Sequence, residues 1–309
     1  MQVLSIGDRV VEGRYRIHSR FRRAVNFADD EGIVCLVARE VGAGPISIVV
    51  DRLRTAGARV LTIGTRLTPG ATGPRPMVWV GDRALDCGAA RVYGSDLDRI
   101  GQRMRGYRAK LHTLREALVE IAPAKSLAFL LDESRRAAFR PGFETAFAEH
   151  ASNCVADILY HDILRGVTRL RGAGFGLTPS GDDFIRGLLV GMKIVEIVYG
   201  TSLSLTRRYV GESARTGGTL SDALLLLAEE GRVGERVKGL LGALVGGTFG
   251  GVRDATRALC SVGETSGADF ATGLLLTLEV GPTLPVLDCD FDPLYDDVRC
   301  SAGDVMTVS

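Results

Sequence analysis

Gly172-Ala173-Gly174-Phe175-Gly176-Leu177-Thr178-Pro179-Ser180-Gly181-Asp182-Asp183-Phe184 is a glycine-rich loop running into a helix start. Glycines at alternate positions admit backbone angles closed to other residues and let a ligand or a second backbone come close. Thr178 followed by Pro179 predicts Thr178 as the N-cap and Pro179 at the first helical position. The second half of the stretch has an echo. Ser180-Gly-Asp-Asp-Phe-Ile-Arg-Gly187 recurs 86 residues further on as Ser266-Gly-Ala-Asp-Phe-Ala-Thr-Gly273. Two helix starts of one design predict a pseudo-symmetric pair whose amino-terminal ends converge on one site. The plainer alternative is two helices that share only capping chemistry.

Outward from this pair the pattern is helical. Residues 97–121, 142–170, 221–230 and 268–279 carry apolar residues at helical spacing, with Pro123 and Gly172 as stops. Before residue 95 the pattern changes to short β-branched runs at 33–41, 46–51, 59–63 and 77–80, separated by glycine- and proline-bearing turns. Residues 14–22 alternate strictly, with Arg14, Arg16, His18, Arg20 and Arg22 on one face. That face reads as a charge-protected edge strand or as a basic surface for an anion or an acidic partner. The order of elements gives an α+β fold. It divides into a β-rich amino-terminal domain (1–100), a mainly helical, glycine-rich domain (101–285) carrying both motifs, and an acidic tail (286–309).

The chain has 309 residues, 46% hydrophobic and 24% charged, with a net charge of +1. Such a composition is that of an ordinary globular protein, and the weak charge argues against nucleic acid as a general partner. Of the 38 basic residues 34 are arginine, the side chain suited to bidentate contact with carboxylates and phosphates. The six cysteines form no C-x-x-C pair, and no apolar run reaches the roughly 18 residues of a membrane span. With no secretory leader visible, the sequence predicts a cytoplasmic protein that does not bind membranes.

Asp182, Asp183 and Asp269 are more acids than capping requires. They are the candidate catalytic groups, and hard oxygens of this kind would also suit Mg²⁺ held together with a substrate phosphate. Gly174, Gly176, Thr178, Ser180, Gly181, Ser266 and Gly267 are the candidate substrate-binding residues, because a helix start presents free N–H groups and the positive end of a dipole to an anion. Thr219 or Ser221 caps a further helix or adds a hydroxyl to the same site. His150, Cys154, Asp157 and His161 share one face of a helix but match no zinc spacing. The serine-hydrolase, zinc-protease and dithiol signatures are missing.

These residues, with His18-Ser-x-Phe-x-x-Ala-x-Asn26-Phe27 near the amino terminus, resemble the AllH-type subunit family of oxamate carbamoyltransferase. The likeness runs to about residue 280, and the first motif is specific to that family. It implies carbamoyl transfer between oxamate and phosphate, by way of oxalurate and carbamoyl phosphate, at the end of allantoin breakdown. It also implies partner subunits and adds His18 and Asn26 to the substrate-binding residues. Well-known carbamoyltransferases hold carbamoyl phosphate with Ser-x-Arg-Thr-Arg, and Ser213-Ala-Arg215-Thr216-Gly217 only begins that way. Two other functions fit the residues: Mg²⁺-dependent phosphate or glycosyl chemistry in the manner of ADP-ribosyl hydrolases, and a non-catalytic anion-binding scaffold subunit.

Overall fold

A computed structural model describes residues 1–30, 32–53, 59–66, 75–101, 103–174, 177–285 and 287. Gly176, Cys289, Cys300 and nearly all of the acidic tail lie outside the described residues. Among the described residues nine strands come first: β1 (Val3–Gly7), β2 (Gly13–Arg20), β3 (Ala24–Ala28), β4 (Ile33–Ala38), β5 (Ser47–Val50), β6 (Val60–Arg66), β7 (Arg75–Val80), β8 (Arg83–Ala84) and β9 (Arg91–Tyr93). The helices follow: α1 (Asp98–Gly101), α2 (Leu111–Ile121), α3 (Phe143–Tyr160), α4 (Ile163–Leu170), α5 (Ser180–Tyr199), α6 (Ser204–Ala214), α7 (Thr219–Glu229), α8 (Glu235–Gly246), α9 (Phe249–Cys260) and α10 (Ser266–Val280). Strands before helices make the fold α+β. No helix among the described residues is long and apolar enough to cross a membrane.

The strands form one sheet in the order β8-β7-β6-β2-β3-β4-β5-β1-β9. It curls until the segment after β8 reaches β1, where the Val3 N–H donates to the Asp86 carbonyl at 2.8 Å. Tyr15, Val25, Phe27, Leu36, Ile48, Leu61 and Val78 fill the inner face. On the outer face α7 lays Leu227 over Ile33 and Ile46. β2 is flanked by β6 and β3 and is therefore no edge strand, so edge protection does not explain its arginines. Their alternation also breaks. A bulge between Ile17 and Ser19 inserts one residue, so Arg16 stands opposite Ala28 but Arg20 stands opposite Val25, on the other face.

Two expected helices are divided. Residues 97–121 form α1, a 3₁₀ segment (Met104–Lys110) and α2. Tertiary contacts override the local pattern there: buried Tyr107 donates to the Leu278 carbonyl (3.1 Å), and Arg108 Nε donates to the Tyr199 hydroxyl (2.7 Å). Residues 142–170 break because Asp162 accepts the Arg165 N–H (3.0 Å) and starts α4 anew. α4 then folds back on α3 at Gly166, where an added Cβ would lie 2.6 Å from the Cys154 carbonyl oxygen.

The sheet and the helices are joined by polar clamps. Asp8 accepts the Ser95 N–H (2.8 Å) and pairs with Arg232 (2.9 Å), and Arg9 pairs with Glu230 (2.7 Å). Tyr93 donates to the Val233 carbonyl (3.0 Å) and the Ala43 N–H donates to Glu235 (3.0 Å).

Candidate functional site

α5 and α10 are the two echoed helices, and each follows a shorter helix through a glycine turn. An added Cβ at Gly181 would overlap the Leu170 carbonyl oxygen at the end of α4. At Gly267, its equivalent, it would overlap the Leu259 carbonyl oxygen near the end of α9. The Gly181 N–H donates to Ala173 O (2.8 Å), and the Gly267 N–H to Val262 O (3.1 Å). Gly174, with φ +116, and Gly263, with φ +66, supply left-handed turns just before the two helix starts. A Cβ at Gly174 would lie 2.6 Å from Ser180 N, and one at Gly263 3.1 Å from Ser266 Oγ. The helices then cross where Gly187 meets the Phe270 carbonyl and Gly273 meets the Phe184 carbonyl. The repeat in the sequence is a pseudo-two-fold repeat in space.

The helix starts differ from expectation by one residue. Pro179, not Thr178, occupies the N-cap position of α5, and no side chain caps either helix. Thr178 instead bonds the other motif, its Oγ1 lying 2.9 Å from Ser266 Oγ. The cross-links are reciprocal. The Ser266 and Thr178 hydroxyls lie beside the Asp183 carboxylate, and the Ser180 hydroxyl lies beside that of Asp269.

The three aspartates have separate surroundings. Asp182 is saturated, accepting the Gly172 N–H (2.6 Å) and the Ser221 hydroxyl (2.5 Å). Asp183 and Asp269 are both fully buried, and one oxygen of each, Oδ2, has no hydrogen-bond partner among the described residues. Asp183 Oδ1 takes Arg186 Nη1 at 2.5 Å, and Asp269 Oδ1 takes the Leu127 N–H at 2.6 Å. Burial pushes the Asp183 carboxyl above the usual range, against the pull of Arg186 and the two hydroxyls. Burial pushes Asp269 up to about 7, opposed by the Leu127 N–H and the Thr265 hydroxyl and reinforced by the nearby charge of Asp183. Such a group changes protonation near neutral pH, as proton transfer at that pH requires.

Arg186 escaped notice in the sequence, although a signal was there: at that position the first motif has arginine and the second has Thr272. Ser221, left between capping and site, belongs here through Asp182. The other expected residues lie elsewhere. His18 and Asn26 sit on β2 and β3 and share the Ser19 hydroxyl, at 3.1 and 2.9 Å. On α3, His150 bonds the Arg169 carbonyl (2.8 Å) and Asp157 pairs with Arg169 (2.9 Å), both packing α4 in place. No group of three or more His, Cys, Asp or Glu side chains among the described residues could hold a metal ion.

Two family models match the chain. A family model described as oxamate carbamoyltransferase subunit AllH matches residues 170–278, and one described as the AllH family N-terminal domain matches residues 2–72. The chain belongs to the AllH family. Its carboxy-terminal AllH match runs from the last residue of α4 to Leu278 of α10, enclosing both motif corners. No curated protein and no solved structure matches the chain. The family's description makes this chain a subunit in carbamoyl transfer, with other protein subunits beside it.

Saturation sets Asp182 apart in a testable way. Asp182→Ala removes the acceptors of both the Gly172 N–H and the Ser221 hydroxyl. That should cost about 1–3 kcal/mol of stability, as for a buried donor left unpaired. A thermal melt measures this, and ligand binding by the folded variant should match the unaltered chain.

Proposed function

We propose that this subunit carries the site of carbamoyl transfer between oxamate and carbamoyl phosphate, giving oxalurate and phosphate, in allantoin and purine breakdown. One observation supports it above the rest: two buried carboxylates face each other's motif, each with one oxygen that has no hydrogen-bond partner among the described residues. In this reading the amide nitrogen of oxamate attacks the carbamoyl carbon. The new C–N bond forms as the C–O bond to phosphate breaks, and Asp269 Oδ2 accepts the proton lost by nitrogen, later returned to the departing phosphate. Arg186 pairs with Asp183 and opposes the burial that raises its carboxyl, and negative charge on Asp183 favours the protonated form of Asp269. The Thr178, Ser180 and Ser266 hydroxyls flank the two carboxylates, and the Gly174 turn packs against Ser180. No step needs a metal, and since Asp182 is saturated, two rather than three aspartates are open to one.

The test uses the native complex, co-purified with its partners and supplied with carbamoyl phosphate and oxamate while phosphate and oxalurate are followed. Asp183→Ala should lower the rate at least a hundredfold in a complex that still assembles, and chelator should leave the unaltered rate unchanged. An undiminished rate in the variant removes the pair from the reaction. A rate that vanishes with chelator favours Mg²⁺-dependent hydrolysis.

A further inference from the structure

The pseudo-two-fold relation fails at one buried polar position, and the failure singles out an arginine. Residues 186 and 272 are equivalent in the repeat. Thr272 is fully buried and returns its hydroxyl to the Ala268 carbonyl of its own helix at 2.8 Å. Arg186 reaches across the seam between α5 and α10. Its Nη1 is held by Asp183 Oδ1 at 2.5 Å, and its guanidinium carbon lies 5.6 Å from the centroid of the Phe270 ring. These contacts fix the guanidinium but use only one end of it. Nε is buried and has no hydrogen-bond partner among the described residues, so the side-on edge formed by Nε and Nη2 is not taken up by the protein. The side chain as a whole is 21% exposed, whereas its Nε is buried.

We propose that Arg186 is the oxyanion receptor of the site, its Nε–Nη2 edge taking two oxygens of a small carboxylate or phosphate. A buried guanidinium N–H without an acceptor is costly, and a carboxylate or phosphate offering two oxygens side by side satisfies Nε and Nη2 together. The Asp183 contact and the Phe270 ring orient the fork before the ligand arrives, which reduces the ordering needed on binding. Lysine could supply the charge but not the two parallel donors. The inference rests on the carbamoyl-transfer reading only for the identity of the anion.

Calorimetric titration of the full purified chain with oxamate, and separately with inorganic phosphate, tests it. Saturable binding of oxamate alone identifies a carboxylate receptor; binding of phosphate alone identifies a receptor for the phosphate group. Arg186→Gln and Arg186→Lys should each weaken that binding at least tenfold. Should Arg186→Gln fail to fold, because Asp183 loses its partner, Arg186→Lys decides, with its fold checked by circular dichroism. Binding within threefold of the unaltered chain in folded Arg186→Lys, or no binding of either anion by the unaltered chain, overturns the inference. Loss of binding in Arg186→Lys, together with a native complex that transfers no carbamoyl group, upholds the receptor and overturns the reaction.

Discussion

Gly273→Val should unfold or nearly unfold the helical half of the protein at temperatures where the unaltered chain is stable. The Cβ it introduces would overlap the Phe184 carbonyl oxygen, a main-chain atom that cannot rotate aside. Overpacking a core commonly costs about 1–3 kcal/mol when side chains can adjust. Here α5 and α10 must separate as whole helices, pulling apart the buried faces that carry Leu188 and Leu274, so the cost should exceed about 3 kcal/mol. For a chain of this size that is a fall in melting temperature of at least about 5 °C. The pseudo-symmetric Gly187→Val should behave alike, since its Cβ would overlap the Phe270 carbonyl. Gly239→Ala is the control: Gly239 lies on the exposed face of α8 with nothing within 4 Å of the added Cβ, and the variant should gain up to about 1 kcal/mol from helix propensity. Melting curves of the three variants by circular dichroism decide the matter. A Gly273→Val chain that melts with the unaltered protein would mean that the helices do not cross at this point.

The glycines that make this crossing were legible as a repeat but not as a contact. Ser180 to Gly187 and Ser266 to Gly273 match because both helices need the same small residues at the same turns, a demand that a sequence records position by position. Which backbone each glycine meets is a long-range fact, and nothing local encodes that Gly187 faces Phe270. The same limit applies to the aspartates. Adjacent Asp182 and Asp183 look interchangeable in the sequence, yet the step of about 100° between neighbouring helical positions sends them to different neighbours: Asp182 toward Ser221 and Gly172, Asp183 toward Arg186 and the second motif. On the sheet, the β-branched runs mark strands well, because alternation is local. The face taken by Arg20 is not legible in this way, because a bulge depends on pairing with β3 and leaves no mark in the pattern of β2 alone. The 3₁₀ segment before α2 is hidden for a like reason, its geometry being set by Tyr107 and Arg108 reaching α10 and α5.

Asp269→Asn should trade activity for stability. The Asp269 carboxyl sits at about 7 in the folded chain against 3.8 for the ordinary group, so the folded state favours its neutral form. Folding therefore gains from a protonated Asp269 fully below pH 3.8 and loses that gain as the pH rises to about 7, because over this window the folded chain holds the proton more tightly. A difference that large between the folded and unfolded chain corresponds to about 4 kcal/mol lost by neutral pH. Glu144 acts in the opposite sense: hydrogen bonds and charge from Arg140, with Lys125, hold it at about 2, so its contribution is present above pH 4.5 and is lost as the pH falls toward 2. Between these limits stability should peak near pH 4. An asparagine at 269 is neutral at every pH, can still accept the Leu127 N–H through Oδ1, and can donate to the Ser180 or Thr265 hydroxyl. The variant should thus match the unaltered chain at pH 4, exceed it above pH 7, and lose the downward slope between. Its carbamoyl-transfer rate in the assembled complex should fall by about a hundredfold to ten-thousandfold, the usual contribution of a positioned base. Urea titrations from pH 4 to 8 and a rate assay at neutral pH measure both effects. An asparagine variant with the original pH slope places the proton elsewhere, and one with the original rate removes Asp269 from the chemistry while leaving its electrostatic cost intact.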